Sequence, residues 1–250
     1  MAHIPRIYVP GRLGPGSIVL DAEEARRLTS VMRIRQGDEF RVFGGDGREF
    51  RATVTGTAKG SLHATVGELV RQQAAEQLVI EAWIGLVRPN RFDWAIEKCV
   101  EAGADVIRPL VSEHTARGDG GSNARADRWT RIAVEAAEQC GRLHMAIVEP
   151  PCRFDDLVRH HHGALVVGHP GGRDWADTAP LVPGEGRLAL AIGPEGGFSD
   201  EEVALAQAHG ALVTSFGPNV FRTETAALVA VALARAVAGS RWPVARGQVS

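Results

Sequence analysis

The stretches IGPEGGFS (residues 192–199) and SFGPNVFRTET (residues 215–225) decide how the C-terminal part of this chain is organised. Each leaves an apolar run, is rich in glycine and proline, and enters a segment with a helical pattern. Glycine and proline permit tight turns that bring main-chain N–H and C=O groups close to a ligand. The two stretches therefore predict two walls of one ligand pocket.

From residue 78 onward strands and helices alternate, which predicts an α/β domain with a mostly parallel sheet. The predicted strands are 78–86, 106–111, 146–148, 164–168, 188–193 and 211–215; the predicted helices are 90–102, 124–140, 154–161 and 223–239, with another starting at Ser199. Asn90 is a candidate N-cap, and Ser199 with Glu202 has the pattern of a capping box.

A third small-residue loop, GHPGG at residues 168–172, follows another predicted strand. In an open parallel sheet, ligands bind outside the carboxyl ends of the strands, so the three loops are expected at one edge. None matches GxGxxG or GxxxxGK(S/T), and neither a Rossmann dinucleotide site nor a P-loop is indicated. One such loop is typical of an ordinary turn, whereas three favour a small-molecule site suited to an adenosine moiety.

The first 72 residues are mostly β in pattern and predict a small β-barrel domain. Its predicted strands are 4–9, 41–43, 50–57 and 61–69, with one helix at 21–32. Asp21 is the expected N-cap, and Ala25, Leu28 and Met32 share one face of that helix. Residues 73–77 are predicted as a linker, and residues 78–250 as the second domain.

The composition is that of an ordinary globular protein, with 44% hydrophobic and 23% charged residues. No apolar run approaches the ~20 residues of a membrane span, and proline and glycine interrupt the N-terminal stretch where a signal peptide would need an apolar core. The cysteines Cys99, Cys140 and Cys152 lack paired spacing, which favours reduced thiols and a cytoplasmic protein. No membrane partner is expected.

Positive charge is concentrated at the N-terminal end. Residues 1–72 carry eleven Lys and Arg against eight Asp and Glu, whereas the net charge of the chain is −2. Nearly all of this charge is arginine, which binds phosphates and stacks on bases better than lysine. The pattern suggests RNA binding through Arg6, Arg12 and Arg33. Two alternatives remain open: a GC-rich genome as the source of the arginines, and a structural role for Arg33.

GPEGGFSDEE (193–202) followed by FGPNVFRTETA (216–226) resembles the paired signature of the SPOUT-class RNA methyltransferases. More narrowly, the chain resembles the family that methylates N3 of a uridine in 16S ribosomal RNA. HIPRIYVPGRL (3–13), VMRIRQGDEF (31–40) and GGDG (44–47) resemble its PUA-like N-terminal domain. IEKCVEAGADVIRPLVSEHT (96–115) and ADRWTRIAVEAAEQCGR (126–142) resemble its central segments.

The resemblance implies a C-terminal sheet with helices on both faces, a trefoil knot, and S-adenosylmethionine bound in the knot. It also implies a homodimer acting on 16S rRNA, and we expect the assembled 30S subunit to be the better substrate. The apolar run 226–234 fits a buried core and a dimer interface equally well. The cofactor-binding residues implied by position are Val167, Gly168, His169, Pro170, Ile192, Gly193, Pro194, Gly196, Gly197, Ser215, Phe216, Gly217, Pro218, Val220, Phe221 and Thr223.

At three positions the chain departs from the family pattern, with Phe216, Asn219 and Phe221 where the family has leucine, arginine and leucine. Main-chain contacts to a cofactor should survive these changes. A phosphate or base contact from an arginine at position 219 would be lost.

Methylation of uracil N3 requires removal of a proton from a weakly acidic imide, so a base or a charge-stabilising group is needed. Arg222 is expected to stabilise charge on the uracil oxygens, and Glu195 or Glu224 to accept the proton. Alternatively, Arg222 and Glu224 only cap and charge the last helix. No metal is expected, because His160, His161 and His162 are consecutive and cannot point at one ion.

Two other functions stay open from the sequence. One is a SPOUT methyltransferase that acts on tRNA or on a ribose 2′-hydroxyl. The other is an RNA-binding protein without catalysis, against which the three cofactor-like loops argue.

Overall fold

The computed structural model describes residues 4–58, 60–116 and 123–238, which form two compact units. The N-terminal unit comprises the described residues up to Ala75 together with Ala137–Met145. The C-terminal unit comprises the described residues of Glu76–Ala136 and those from Ala146 onward. The division into 1–72, 73–77 and 78–250 follows linear order, and such a division cannot assign a later segment to the first unit.

A five-stranded, barrel-like sheet forms the N-terminal unit. Its strands are β1 (Arg6–Tyr8), β2 (Gly16–Leu20), β3 (Glu39–Phe43), β4 (Arg48–Ala58) and β5 (Ser61–Gln72), in the order β1-β3-β4-β5-β2. Only β1 and β3 pair in parallel; the other described neighbours are antiparallel. The predicted small barrel is confirmed. The sequence missed β2 because Gly14, Pro15 and Gly16 have the pattern of a turn.

The helix of this unit changes its winding halfway. Asp21 caps α1 (Ala22–Arg26) as predicted, accepting hydrogen bonds from the main-chain N–H of Glu23 and Glu24 at 3.0 Å. A π-helical turn, Arg27–Val31, follows. Its wider i→i+5 winding rotates later residues out of phase. Met32 is therefore 39% exposed whereas Ala25 and Leu28 are buried, and the prediction that the three share one face was wrong.

The C-terminal unit contains the predicted parallel sheet. Its strands are β6 (Leu78–Gly85), β7 (Val106–Val111), β8 (Ile147–Val148), β9 (Cys152–Arg153), β10 (Ala164–Asp174), β11 (Gly186–Ile192) and β12 (Leu212–Ser215). Its helices are α2 (Pro89–Ala102), α3 (Asn123–Cys140), α4 (Phe154–His160), α5 (Trp175–Thr178), α6 (Asp200–Ala208) and α7 (Thr223–Val237); α3 extends past Ala136 into the residues of the other unit. The strand order is β12-β10-β11-β6-β7-β8, β9 also pairs with β7, and every pairing described in this sheet is parallel.

Helices cover both faces of this sheet. On one face, α4 and α6 pack with Trp83, Ala189 and Ala191 in one apolar cluster. On the other, α7 packs against β6 and β11, and α2 packs against α7. These strands are apolar almost without interruption because both of their faces are buried.

The chain changes direction across the sheet near its C-terminal end. β11 pairs with β10 on one side, and the next strand, β12, pairs with β10 on the other side. This reversal of strand order creates the kind of crevice in which open α/β sheets bind ligands. The trefoil knot that the resemblance implies stays a prediction.

Two helix starts test the cap assignments. The capping box of Ser199 and Glu202 at α6 is present as predicted. The predicted cap at Asn90 was wrong, because α2 begins at Pro89 with Arg88 in the N-cap position. Proline lacks an N–H and has a fixed φ, so it begins a helix without needing a cap on its own nitrogen.

Gly239, the predicted end of the last helix, lies outside the described residues. None of the described helices has the length and apolar character needed to cross a membrane.

Candidate active site

The three predicted ligand loops lie at one edge of the parallel sheet. In the strand register, Gly168 of β10 lies beside Ile192 of β11 and beside Thr214 of β12. The loops that begin at Gly193 and Phe216 therefore start level with the glycine-rich loop of β10. Main-chain groups of three segments converge there.

The segment 168–172 is a bulge inside β10 and does not end the strand. Thr214 of β12 pairs with both Gly168 and Arg173 of β10. The residues between these two, which include His169 and Pro170, have no pairing partner on β12. The predicted strand end at Gly168 was wrong, because β10 resumes and continues to Asp174. Bulges re-aim backbone groups and are common beside active sites.

Glycine is required where these segments approach one another. A Cβ atom on Gly168 would lie 2.7 Å from Ile192 Cδ1 and 2.8 Å from a ring carbon of Phe216. A Cβ on Gly85, the last residue of β6, would collide with the main chain at Pro194. The glycines therefore allow the loops to pack backbone against backbone and leave main-chain polar groups near the edge.

The loop after β11 is held from two sides. Thr223 Oγ1, in the first turn of α7, donates a hydrogen bond to the carbonyl oxygen of Gly193 at 3.0 Å. The Nδ1 atom of His114, in the loop after β7, lies 3.0 Å from the carbonyl oxygen of Gly196. In the loop after β12, Ser215 Oγ donates to the carbonyl oxygen of Gly217 at 2.9 Å. These bonds fix the loops before any ligand binds.

The two predicted carboxylates have contrasting environments. Glu224 is 8% exposed, and its Oε2 atom is buried without a hydrogen-bond partner in the protein. Its Oε1 atom lies 3.8 Å from Arg91 Nε. The Glu195 side chain is 58% exposed and forms an ion pair with Arg91 Nη1. A buried polar atom without a partner is rare and calls for a functional explanation.

Arg222 occupies the N-cap position of α7 and is exposed. Its side chain makes no capping hydrogen bond, so capping does not account for it. Glu224 lies in the first turn of α7, where a negative charge is favoured by the helix dipole. The structure thus brings Glu224 and the three loops together and leaves Arg222 at their rim.

Residues 74–235 match the family model described as an RNA methyltransferase domain, and residues 20–67 match the RNA methyltransferase PUA domain. The chain belongs to the RNA methyltransferase family. It is 31% identical over 234 residues to the ribosomal RNA small subunit methyltransferase E of Synechocystis, covering 90% of this chain and 75% of the relative.

Two solved structures match this chain over 94% of its length. A methyltransferase from Legionella pneumophila, solved with the bound cofactor SAM, matches with a TM-score of 0.85 at 31% identity, covering 94% of this chain and 98% of that chain. A ribosomal RNA small subunit methyltransferase E from Neisseria gonorrhoeae, bound to S-adenosyl methionine, matches with a TM-score of 0.82 at 25% identity, with the same coverage.

The tip of the loop after β12 is apolar and exposed. Val220 is 79% exposed and Phe221 is 37% exposed. Phe216 packs inward, with its ring centroid 5.7 Å from that of Trp175. Exposed apolar side chains next to a ligand edge are candidates for ligand contact. The departures from the family pattern at positions 216 and 221 therefore place one aromatic ring inside the loop and one at its surface.

Sequence reasoning did not place Arg91 or His114 in the site. Arg91 follows the carboxyl end of β6, and His114 follows the carboxyl end of β7. The rule that ligands lie at the carboxyl ends of parallel strands, applied to β6 and β7 as well, would have indicated both residues.

The N-terminal candidates Arg6, Arg12 and Arg33 separate into two kinds. Arg6 Nε donates to Glu49 Oε1 at 2.6 Å, and its Nη atoms donate to the carbonyl oxygens of Ala137, Glu138 and Arg142. Arg6 therefore ties the segment 137–145 to β1, which argues for a structural role. Arg12 and Arg33 are exposed, and Arg33 adopts a φ of +59°, the only positive φ of a non-glycine residue among those described.

Titratable residues elsewhere in the described part of the chain do not form a metal site. No group of three or more His, Cys, Asp or Glu is arranged there to hold a metal ion. His161 lies edge-on to Trp83, with ring centroids 5.0 Å apart, and burial lowers the pKa of its imidazole. Burial raises the pKa of the Cys99 thiol to about 12, so this cysteine is not a nucleophile at neutral pH.

Proposed function

We propose that this protein transfers a methyl group from S-adenosylmethionine to N3 of a uridine in 16S ribosomal RNA. The observation that carries the proposal is the buried, unpartnered Oε2 atom of Glu224 at the edge where three glycine-rich loops meet. The names of the relatives support the RNA class, and the two SAM-bound neighbours support the cofactor.

The loops fit an adenosine-containing cofactor. Gly168, Gly193 and Gly196 lack side chains where the segments approach one another, so the main chain can come close to a purine and a ribose. The carbonyl oxygens of Gly193 and Gly196 are already engaged by Thr223 and His114. Ile192, Phe216 and Phe221 supply apolar surface. When bound there, S-adenosylmethionine supplies an electrophilic methyl group on a sulfonium.

Glu224 is the better candidate for the base. Its buried Oε2 atom has no protein donor and can accept the N3 proton, whereas Glu195 is largely exposed and engaged with Arg91. Arg222, exposed at the rim, is placed to balance negative charge on the uracil carbonyl oxygens. Proton removal is thus assigned to Glu224 and charge stabilisation to Arg222, two residues at the N-terminal end of α7.

Recognition of the RNA is assigned to the N-terminal unit, with Arg12 and Arg33 as the exposed candidates. PUA-domain similarity over residues 20–67 supports this assignment. We propose the assembled 30S subunit as the substrate, because a modest basic surface reads RNA shape better than sequence. A cytoplasmic location accords with a ribosomal substrate.

We also propose a homodimer. Val229, Leu233 and Val237 recur at four-residue intervals along α7 and remain partly exposed, with Val237 at 40%. The adjacent side of the helix, with Ala230 and Ala234, is fully buried. An apolar stripe left outside the core is the kind of surface that subunits bury.

Methyl transfer from labelled S-adenosylmethionine to 30S subunits, naked 16S RNA and tRNA tests the function. We expect a labelled 3-methyluridine in 16S RNA, with faster transfer to the 30S subunit. Label in tRNA alone, or on a ribose 2′-oxygen, would contradict the substrate assignment. Absence of cofactor binding in calorimetry would contradict the enzyme activity itself.

A further inference from the structure

Arg91 is a cation at the N-terminal end of α2, next to the proposed active site, and the helix itself does not explain its presence there. It lies in the first turn of the helix, just after Pro89. A cation there opposes the helix dipole, which favours negative charge at the amino end. The helix is therefore not the reason for a cation at this position.

The contacts of Arg91 explain its place. Its Nη1 atom pairs with Glu195 Oε1, and its Nε atom lies 3.8 Å from Glu224 Oε1. One guanidinium therefore joins the loop after β11 to the first turn of α7. Its own side chain is only 31% exposed, so solvent weakens these contacts less than at an open surface.

The two oxygens of Glu224 differ as a result. Oε1 faces the cation, whereas Oε2 is buried and has no partner in the protein. A carboxylate attracted at one oxygen only has a preferred orientation, and here the second oxygen receives no donor from the described part of the chain.

We infer that Arg91 is a positioning residue, which holds Glu224 through Oε1 so that Oε2 accepts the N3 proton of the substrate uracil. The inference rests on the proposed function and adds a residue to it. Glu195 then acts through Arg91, by orienting the guanidinium, and does not take the proton. This assigns different roles to the two carboxylates that the sequence left as alternatives.

The step is balanced in atoms and electrons. The N3 proton moves to Glu224 Oε2, and the electron pair of the N3–H bond stays on nitrogen. That pair forms the new N–C bond to the methyl group, while the pair of the broken C–S bond leaves with sulfur. Glu224 returns its proton to solvent after the product departs.

Four variants test the inference in the full-length protein with 30S subunits as substrate. For Arg91→Gln we expect a loss in kcat of about 100-fold, in the range that general-base catalysis contributes. KM and the calorimetric Kd for S-adenosylmethionine should stay near wild type. Arg91→Lys keeps the charge without the fork, so its kcat should lie within about tenfold of wild type. Glu195→Gln should lose less than Arg91→Gln.

Arg128→Gln is the matched control. Arg128 pairs with Asp93 of α2 through Nε at 3.0 Å and Nη2 at 2.6 Å, and its side chain is 62% exposed. Removing this surface pair should leave kcat unchanged, since exposed pairs contribute little to stability. Thermal unfolding of each variant shows that it is folded.

Several results would overturn the inference. If the wild-type protein methylates N3 and Arg91→Gln has the same kcat, the proposed function stands and Arg91 has no positioning role. A cofactor Kd weakened as much as kcat/KM would make Arg91 a cofactor contact. If Arg91→Gln does not fold, Arg91→Lys provides the test. A loss in its kcat of about 100-fold would show that the charge of residue 91 does not position Glu224. Wild-type protein without N3 transfer would refute the function and the inference together.

Discussion

At the residue scale, the difference in burial between Glu224 and Glu195 leads to a direct prediction. Glu224→Gln preserves size but removes the proton acceptor, so kcat should fall by about 10²–10⁴-fold, the usual contribution of a general base. Glu195→Gln alters an exposed carboxylate and should lose far less. Single-turnover methyl transfer measures both, and equal losses in the two variants would contradict the assignment of the base.

Another residue predicts how stability depends on pH. Glu81 is 2% exposed and accepts hydrogen bonds from Trp83 Nε1 at 3.0 Å, Arg108 Nε at 2.8 Å and Arg187 Nε at 2.9 Å. Burial by itself raises the pKa of this carboxyl group, but the hydrogen bonds from Trp83, Arg108 and Arg187 outweigh it and hold the pKa below 4.5. Folding therefore favours the ionised form.

The sign of this effect follows from linkage. Because the pKa of Glu81 is lower in the folded state than in the unfolded state, its ionised carboxylate stabilises the protein at pH values above 4.5. This stabilisation is lost as the pH falls through the folded-state pKa. Glu81→Gln should lower the free energy of unfolding at pH 7 by about 2 kcal/mol, since it removes the charged acceptor of the hydrogen bonds from Arg108 and Arg187. Urea unfolding at pH 7 and below pH ~4 measures this, because the difference from wild type should shrink in acid.

At the element scale, the sequence predicted element types better than the details that shape the site. Continuous apolar runs predicted β10 and β11 because those strands are buried on both faces. The same runs could not reveal that β10 resumes at Arg173, since strand pairing with Thr214 is a long-range contact. The π-helical turn after Arg26 could not be predicted either, because the residues of this turn are types that also occur in α-helices.

The site itself was predictable to the extent that it is local in sequence. Glycine and proline mark the loops, and Glu224 follows directly from one of them. The pairing of Arg91 with both carboxylates joins segments more than one hundred residues apart, so only the fold could reveal it.

The close packing of the loops predicts the effect of adding one methyl group. Gly168→Ala would place Cβ within 2.8 Å of both Ile192 Cδ1 and the Phe216 ring, and both side chains must move. We expect the protein to fold but to bind S-adenosylmethionine about tenfold more weakly, about 1.4 kcal/mol. Gly184→Ala is the control, because a Cβ there meets no atom within 4 Å. Equal cofactor affinity of the two variants in calorimetry would contradict a role for this packing.

At the scale of the whole molecule, the apolar stripe of α7 predicts a dimer. The fully buried Ala230 and Ala234 account for the core, but Val229, Leu233 and Val237 stay partly exposed in the single chain. A core explanation alone leaves this side of the helix uncovered, whereas a second copy would bury it. We therefore expect light scattering to give twice the chain mass of 26.7 kDa.

Leu233→Glu tests which surface is used. A charge placed in a buried interface is costly, so this variant should have the mass of one chain, 26.7 kDa. Ile147→Glu is the matched control, since Ile147 is an apolar residue with 57% exposure on β8, away from α7, and its variant should remain dimeric. A monomeric wild type would contradict the dimer. If only the Ile147 variant dissociates, the dimer does not use the stripe of α7. If the Leu233 variant also loses methyl transfer while keeping its fold, the site needs the second copy to be complete.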